Sequence, residues 1–553
     1  MFISLFGVLS ILLIHPFHSF TSAVPFTSRQ EDVNSTLQDA NSTSTSSVAG
    51  GFGGTNGAKR VAIIGAGASG SAAAFFLNRA ARAVEKKLGV KEGSKLGEIV
   101  VFEKEGYVGG RSTVIYPHDD HSLRAQELGG SIFVGSNINM MKGAEHFNLT
   151  LITPDSIEPG IAIWDGQKFL VRNESSSWLT SPEGIARYGL DSIVNADAAV
   201  TEIVQNFLKL YDPAFLSSRG PTESIEEHAE SAGLGVAYTA KTGENWALDD
   251  LGVSEAWMGE FWEAATRANY ATDMPQIHAL GAGVSLAASG ASSIQGGNWQ
   301  IFKGMLDESK ATVKLNTQAS FLLISLPVSE IIPVGKSGSP QFLVQTKKAF
   351  NDIKPFDAVL FAAPWHSSPI SKKLEAKFES PIPAQQYVRL HVTYLTTTKS
   401  RPQASLFGLN ETDYVPRSIM TSALTSRKNG TTPSNFESIA WHAETPAGEY
   451  PVKVFSLARL TDQFINDLIG ETPSWLVRKE WDAYPLLSPI GSYAPVEPIK
   501  GLHYLAAQEA WVSTMDTQTV SGREAVARLV NEWWGLGQGD CASGDDWDWT
   551  CSA

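Results

Sequence analysis

The sequence predicts an α/β protein. A parallel-sheet, dinucleotide-binding domain is assembled from separated stretches of chain and joined to a second, mixed α+β domain. Three observations carry this reading. The apolar run Val61-Ala62-Ile63-Ile64 leads at once into Gly65-Ala66-Gly67-Ala68-Ser69-Gly70 and the alanine-rich Ser71 to Leu77. A second apolar run, Glu98 to Phe102, ends in Glu103. Far along the chain, Asp357-Ala358-Val359-Leu360-Phe361-Ala362-Ala363-Pro364 supplies another strand of the same kind.

In the first stretch the order is a buried strand, a tight glycine turn and a helix starting at the turn. Gly65 makes the turn, Gly67 lets the backbone approach a pyrophosphate, and Gly70 lets the helix sit close on the strand. The helix N-terminus offers unpaired N–H groups to the phosphates, with Ala66, Ala68 and Ser69 beside them. Glu103 is placed to accept from the hydroxyls of an adenosine ribose, with Lys104 next to it. The separation between turn and Glu103 is longer than the pattern usually allows. The excess lies in Ala83 to Gly97, a charged, glycine-broken segment expected to be a solvated extension of the helix and its loop.

Beyond that strand comes Gly109-Gly110-Arg111, which closely resembles glutathione-reductase-like flavoproteins and implies a bound FAD. Further on, Leu128-Gly129-Gly130-Ser131 resembles a stretch that amine-oxidase-like flavoproteins place beside the pyrophosphate or the flavin ring. The strands expected at Ala319 to Ser325 and Gln341 to Thr346 precede the return strand. In such folds this excursion supplies a backbone contact to adenine, here near Ala319. The last ordered block is Leu502 to Ala510, then Ser513 to Ser521 and a helix over Gly522 to Trp534. That helix is expected to aim its positive end at the flavin. Glu509 is a candidate acceptor from the ribityl or phosphate region, with Met515 nearby. The plainer reading of Glu509 is an ordinary strand-terminal carboxylate.

At 553 residues, with 43% hydrophobic and 18% charged residues, the chain has the composition of a globular protein of two or more domains. Its net charge of −15 argues against a nucleic-acid backbone as partner. Residues Phe2 to Ile14 are almost wholly apolar, and Thr21-Ser22-Ala23 offers a cleavage site, so residues 1–23 read as a secretory signal peptide. The competing reading is a retained membrane anchor, but the run is shorter than the roughly 20 residues a spanning helix needs. Residues 24–58 are rich in Ser, Thr, Asn and Gly and read as a disordered leader. Glycosylation acceptors fall at Asn34, Asn41, Asn148, Asn173, Asn410 and Asn429. Together these features point to the secretory pathway, ending in a lysosome- or vacuole-like compartment or outside the cell. The only cysteines, Cys541 and Cys551, lie in the acidic tail at 536–553. They are expected to close one small loop, the alternative being two free thiols. Their spacing suits neither a zinc site nor a redox motif, and no metal is expected.

The dinucleotide domain is therefore assigned to 59–135, 294–365 and 498–535, and the substrate domain to 136–293 and 366–497. In the latter, Asp191 to Leu210 and Ser254 to Tyr270 have helical spacing. Ala279 to Ala288 is apolar and small, suited to lining a ligand's alkyl chain. Strands are expected at Tyr387 to Leu395 and Lys453 to Leu457.

Several of these stretches together resemble one family, the prenylcysteine oxidases or lyases. They are Ala265-Thr266-Arg267-Ala268-Asn269-Tyr270, Gly283 to Ala287, Gln295-Gly296-Gly297-Asn298, Lys453 to Ser456, Trp481-Asp482-Ala483-Tyr484-Pro485 and Glu509 to Met515. The likeness spans about residues 60 to 535. The long insertion before Glu103 and Trp299 after Gly-Gly-Asn depart from the family pattern. The resemblance implies an FAD-dependent thioether oxidase that cleaves S-prenyl-L-cysteine with dioxygen and water to cysteine, a prenyl aldehyde and hydrogen peroxide. Gly296, Gly297 and Asn298 are the substrate candidates it suggests. No catalytic base is expected. His278, His366, His391, His442 and His503 read as structural, while Lys453 could lie near flavin N5 through a water, as in amine-oxidase-like enzymes. Two alternatives remain open at this point: a secreted amine oxidase, and a flavin-retaining protein without turnover.

Overall fold

The computed structural model describes residues 57–535, apart from 155–159, 175, 289, 316–327, 335–339, 347–353, 369 and 371–373. The signal segment, most of the leader, the acidic tail, Asn34, Asn41, Cys541, Cys551 and Ala319 lie outside the described residues.

Five strands make the first sheet: Lys59–Ile64 (β1), Leu96–Phe102 (β2), Thr312–Lys314 (β3), Ala358–Phe361 (β4) and Leu502–Tyr504 (β5). Their order across the sheet is β5-β4-β1-β2-β3, and every pairing is parallel. Such a sheet is buried on both faces. Val61, Ala62, Ile63, Val100, Val101 and Val359 are accordingly sealed from solvent. Ile64 pairs with both Phe102 and Phe361, which brings the carboxyl ends of β1, β2 and β4 to one edge. That edge is where open parallel sheets bind ligands.

Helix α1, Ala68–Lys87, packs along one face of this sheet between the helix Trp299–Ser309 and the last helix, α2, Met515–Trp534. Leaving α1, the chain makes an exposed loop over 88–95. Glu85 folds that loop back, its carboxylate accepting from the Gly93 and Lys95 N–H groups at 3.0 and 2.8 Å. This extra loop accounts for the long separation between the glycine turn and Glu103.

The second sheet has seven strands in the order Trp475–Pro485, Tyr387–Thr397, Tyr450–Ser456, Ser438–Trp441, Ser418–Thr421, Ile161–Trp164 and Phe169–Asn173. Only Ser418–Thr421 and Ile161–Trp164 run parallel. A helical layer including Leu190–Leu208, Glu263–Tyr270 and Ala279–Leu286 covers the space between the two sheets. Arg267 ties this layer to the sheet, donating to Glu437 at 3.0 Å, to Asp273 at 2.5 Å and to Thr421 at 2.8 Å.

One expectation needs correction. The final helix starts at Met515 rather than Gly522, because Thr514 and Thr517 form a reciprocal capping box that sets an earlier start. In the excursion before β4, the strand expected at Gln341 to Thr346 is present as Phe342–Thr346, paired with Val328–Pro333, while the one expected at Ala319 to Ser325 lies outside the described residues. Among the described residues no helix is long and apolar enough to cross a membrane.

Candidate active site

The ends of β1, β2 and β4 open into a cavity of about 710 Å³ that continues into the helical layer. Its first wall is the glycine turn. Gly65 has φ +110°, and a Cβ on Gly70 would stand 2.0 Å from the Gly65 carbonyl, so no larger residue fits at position 70. Gly67 differs. A Cβ there would make only ordinary contact, at 3.9 Å, with the Gly109 carbonyl and the Gly110 Cα, so the protein itself does not require glycine for space. Helix α1 begins at this point without a side-chain cap, and Ala68 and Ser69 line the cavity. Uncapped N–H groups facing an open volume form a phosphate site.

Glu103, 7% exposed, accepts from the Ala66 N–H and the Glu105 N–H, both at 2.8 Å. Burial raises its carboxyl above the ordinary range, against the pull of those two hydrogen bonds. Each oxygen retains a lone pair for a further donor. Lys104 is largely exposed at the rim, 3.9 Å from Glu105. Gly109, Gly110 and Arg111 line the next part of the wall, and the Gly109 N–H donates to the Ala66 carbonyl at 2.9 Å.

Arg111 is held by two partners, the Ala483 carbonyl at 2.9 Å and a close ion pair to Glu509. The other Glu509 oxygen accepts from the Tyr387 hydroxyl at 2.8 Å. Each oxygen of Glu509 thus serves one protein donor and, as at Glu103, retains a lone pair, so this cavity-lining carboxylate orients Arg111 and can still accept from a ligand. Ala66 and Gly70 do not line the cavity, whereas Met515, at the start of α2, does, together with Ser513, Thr514 and Gln518. The Ser112 hydroxyl and the Gln518 carbonyl oxygen are buried in this wall without hydrogen-bond partners among the described residues.

Gly129, Gly130 and Ser131 form the turn opposite. Gly130, at φ +57°, packs against the Met515 sulfur. Lys453 reaches this turn from the second sheet, donating to the Glu127 carbonyl at 2.7 Å and the Ser131 hydroxyl at 2.9 Å. It is 6% exposed, and its ammonium lies 4.6 Å from the Phe455 ring centroid. Burial pushes Lys453 down to about 7, against the nearby Glu127 carboxylate. The Glu127 carboxyl is in turn pushed up to about 8 by burial, opposed by the Asn298 N–H bound to it at 2.7 Å and by Lys453.

The Gly-Gly-Asn stretch is placed differently from the sequence expectation. Gly296, Gly297 and Asn298 do not line the cavity. Asn298 is fully buried beneath the glycine turn, donating to the Gly130 carbonyl and accepting from the Ile294 N–H at 2.7 and 2.8 Å. Trp299 packs where a Gly109 side chain would stand and bonds the Gly296 carbonyl at 3.1 Å, also outside the cavity. This stretch braces the glycine turn from beneath.

The far arm of the cavity is apolar. Ile203, Val204, Phe207, Val284, Ala287 and Ala288 line it, with Ala268, Asn269 and Tyr270 at its neck. The Tyr270 hydroxyl donates to the Ser513 carbonyl at 3.2 Å. No histidine lines the cavity. His278 instead caps a helix, its Nδ1 accepting from the Gly281 N–H at 2.9 Å. Sequence reasoning did not assign Tyr387, Trp481 or Lys479, all close to this site. They come together only through pairing of the strands Tyr387–Thr397 and Trp475–Pro485.

Comparison with known proteins bears on this arrangement. The profile of the prenylcysteine lyase family matches residues 171–542. The chain belongs to the prenylcysteine lyase family. A profile of NAD(P)-binding Rossmann-like domains matches residues 63–146, the part that holds the glycine turn. Farnesylcysteine lyase of Arabidopsis thaliana is 28% identical over 488 residues, covering 85% of this chain and 87% of that protein. Prenylcysteine oxidase 1 of Homo sapiens is 26% identical over 495 residues, covering 86% and 89%. Among solved structures, putrescine oxidase bound to putrescine matches with a TM-score of 0.52 at 14% identity, covering 85% of this chain and 99% of that one. Cyclohexylamine oxidase from Brevibacterium oxydans gives 0.51 at 14%. These last likenesses are of fold alone.

Proposed function

We propose that the protein is an FAD-dependent oxidase that cleaves S-prenyl-L-cysteine, yielding cysteine, a prenyl aldehyde and hydrogen peroxide. The observation that carries this reading is one cavity with two unlike ends: a phosphate- and ribose-accepting glycine turn, and an apolar arm in the helical layer. The family match and the names of the relatives supply the substrate class.

The residues present fit FAD. The side-chain-free Gly67 on the cavity wall and the uncapped start of α1 suit a pyrophosphate, and Glu103 suits a ribose. Arg111, steadied by Glu509, adds a cation, while the orphaned Ser112 hydroxyl and Gln518 oxygen await partners. Gly129 and Gly130 let Trp481 and Met515 pack directly against the turn, and all four residues line the same cavity. When bound, FAD accepts a hydride and passes the electrons to dioxygen.

Around it, the chain positions and shields. In the overall reaction the allylic carbon bonded to sulfur loses a hydride, water adds to that carbon, and the hemithioacetal collapses to thiol and aldehyde. Sulfur and the alkene stabilise the developing cation, so no strong base is required. The apolar arm holds the isoprenoid chain and keeps water from it, and most of the rate enhancement comes from orientation. Lys453 fixes the glycine turn to the sheet and holds a proton near neutrality beside the reacting region.

The apolar segment at 2–14 and the acceptor asparagines support passage through the secretory pathway to a lysosome- or vacuole-like compartment or the medium. Peroxide release with S-farnesyl-L-cysteine and with a panel of primary amines tests the function. Response to the thioether supports it, and response to amines alone overturns it.

A further inference from the structure

Among the described residues five cationic side chains line the cavity, and four have polar partners. Lys104 meets Glu105, Arg111 meets Glu509, Arg389 meets Glu480 and Asp482, and Lys453 is bonded to the Glu127 carbonyl and Ser131. Lys479 has no carboxylate or hydrogen-bond partner among the described residues. Its ammonium stands 5.6 Å from the ring centroid of Trp481. This occurs in a chain with 58 acidic and 43 basic residues, where a counter-ion is easily found.

Strand geometry explains the isolation. Lys479 lies on the edge strand Trp475–Pro485, in register with Val392, which pairs in turn with Phe455. Side chains alternate along a strand, so Lys479 and Trp481 share the face that carries Phe455, and Glu480 and Asp482 leave on the other. Arg389 holds both of those carboxylates, at 2.8 and 3.1 Å. The pairing then slips between Tyr387 and Arg389, and Ala483 and Tyr484 beyond the slip line the cavity as well. The Trp481 indole N–H and the Tyr484 hydroxyl, both in cavity-lining residues, are buried donors without acceptors among the described residues. The strand Trp475–Pro485 therefore brings to the cavity two carboxylates already taken by Arg389, a cation without a counter-ion and two unused donors, while the far arm is apolar. A ligand that completes this arrangement is an amphiphile with an anionic head.

We propose that Lys479 binds the α-carboxylate of the prenylcysteine substrate and so sets its specificity for the free acid. The proposal rests on the reaction proposed above and assigns the polar end of its substrate. The experiment compares kcat/KM for S-farnesyl-L-cysteine with that for its methyl ester, and the Kd of each. The unaltered protein favours the acid. In Lys479→Met the value for the acid falls about ten- to hundredfold, as expected for a lost hydrogen bond to a charged group. The loss lies in KM and Kd, so the preference for the acid disappears. Lys479→Arg retains the preference and Lys479→Glu inverts it, each with a normal flavin content. An acid-to-ester ratio in Lys479→Met equal to that of the unaltered protein overturns the assignment. So does a fall confined to kcat with a changed flavin spectrum, which would place the cation on the flavin. Turnover of neither compound by the unaltered protein overturns the reaction itself, and this subsite with it.

Discussion

The Lys453 ammonium donates to the Glu127 carbonyl at 2.7 Å, joining the antiparallel sheet to the strand that leads into the Gly129-Gly130 turn. Two buried ionisable groups meet there, each displaced toward its neutral form by burial. The Glu127 carboxyl is raised from 4.5 to about 8, so the folded protein keeps a proton that the unfolded chain releases. Its contribution to stability is complete below pH 4.5 and is lost as pH rises through 8. Glu127→Gln should remove this dependence. Melting temperatures measured between pH 5 and 9 should fall less steeply in the variant, by about 3 °C or more across the range. Parallel curves would show that Glu127 ionises normally.

Gly67 and Gly70 separate cofactor binding from folding. Gly67→Ala introduces a Cβ that meets only the Gly109 carbonyl and Gly110 Cα, at 3.9 Å, without a clash. That variant should fold with an unchanged far-ultraviolet spectrum and purify with little or no flavin. Gly70→Ala drives a Cβ to 2.0 Å from the Gly65 carbonyl and should reduce the yield of folded protein. A Gly67→Ala protein with full flavin occupancy would remove the turn from the cofactor site.

Asn298 separates bracing from substrate contact. It is fully buried and bonded to Gly130, Ile294 and Glu127. Asn298→Ala leaves buried partners unsatisfied and should lower stability by about 1–3 kcal/mol. Relative activity on farnesyl- and geranylgeranylcysteine should not change. A shift in chain-length preference at constant stability would return Asn298 to the substrate site.

Within the described residues, Asn148, Asn410 and Asn429 are exposed, whereas Asn173 is half-buried and paired with Ile161 in a strand. If the chain passes through the secretory pathway as proposed, peptide mapping after glycosidase treatment of protein from a eukaryotic secretory host should find glycans at the first three and not at Asn173. Occupancy of Asn173, or its absence at all four, would contradict this.

What the sequence discloses and what it conceals follow from the range of the interactions. The turn at Gly65 to Gly70 and the strand ending in Glu103 are legible because glycine spacing and apolar runs are local features. The site's other half depends on contacts between distant residues. Lys453 and Ser131 are 322 positions apart, and Tyr387 and Glu509 are 122 apart. No periodicity reports such pairs. Gly296-Gly297-Asn298 resembles a family stretch without disclosing that its asparagine points beneath the turn. The early start of the last helix was concealed for another reason. Its cap is the pair Thr514 and Thr517, in place of the usual Ser/Thr with Glu.

The central claim is oxidation at the carbon bound to sulfur. Its most direct test is the product balance when purified protein consumes S-farnesyl-L-cysteine in air, with free thiol, farnesal and peroxide measured in one reaction. Equal amounts of the three are expected. Thiol formed without peroxide would contradict the account and show a hydrolytic or eliminative cleavage.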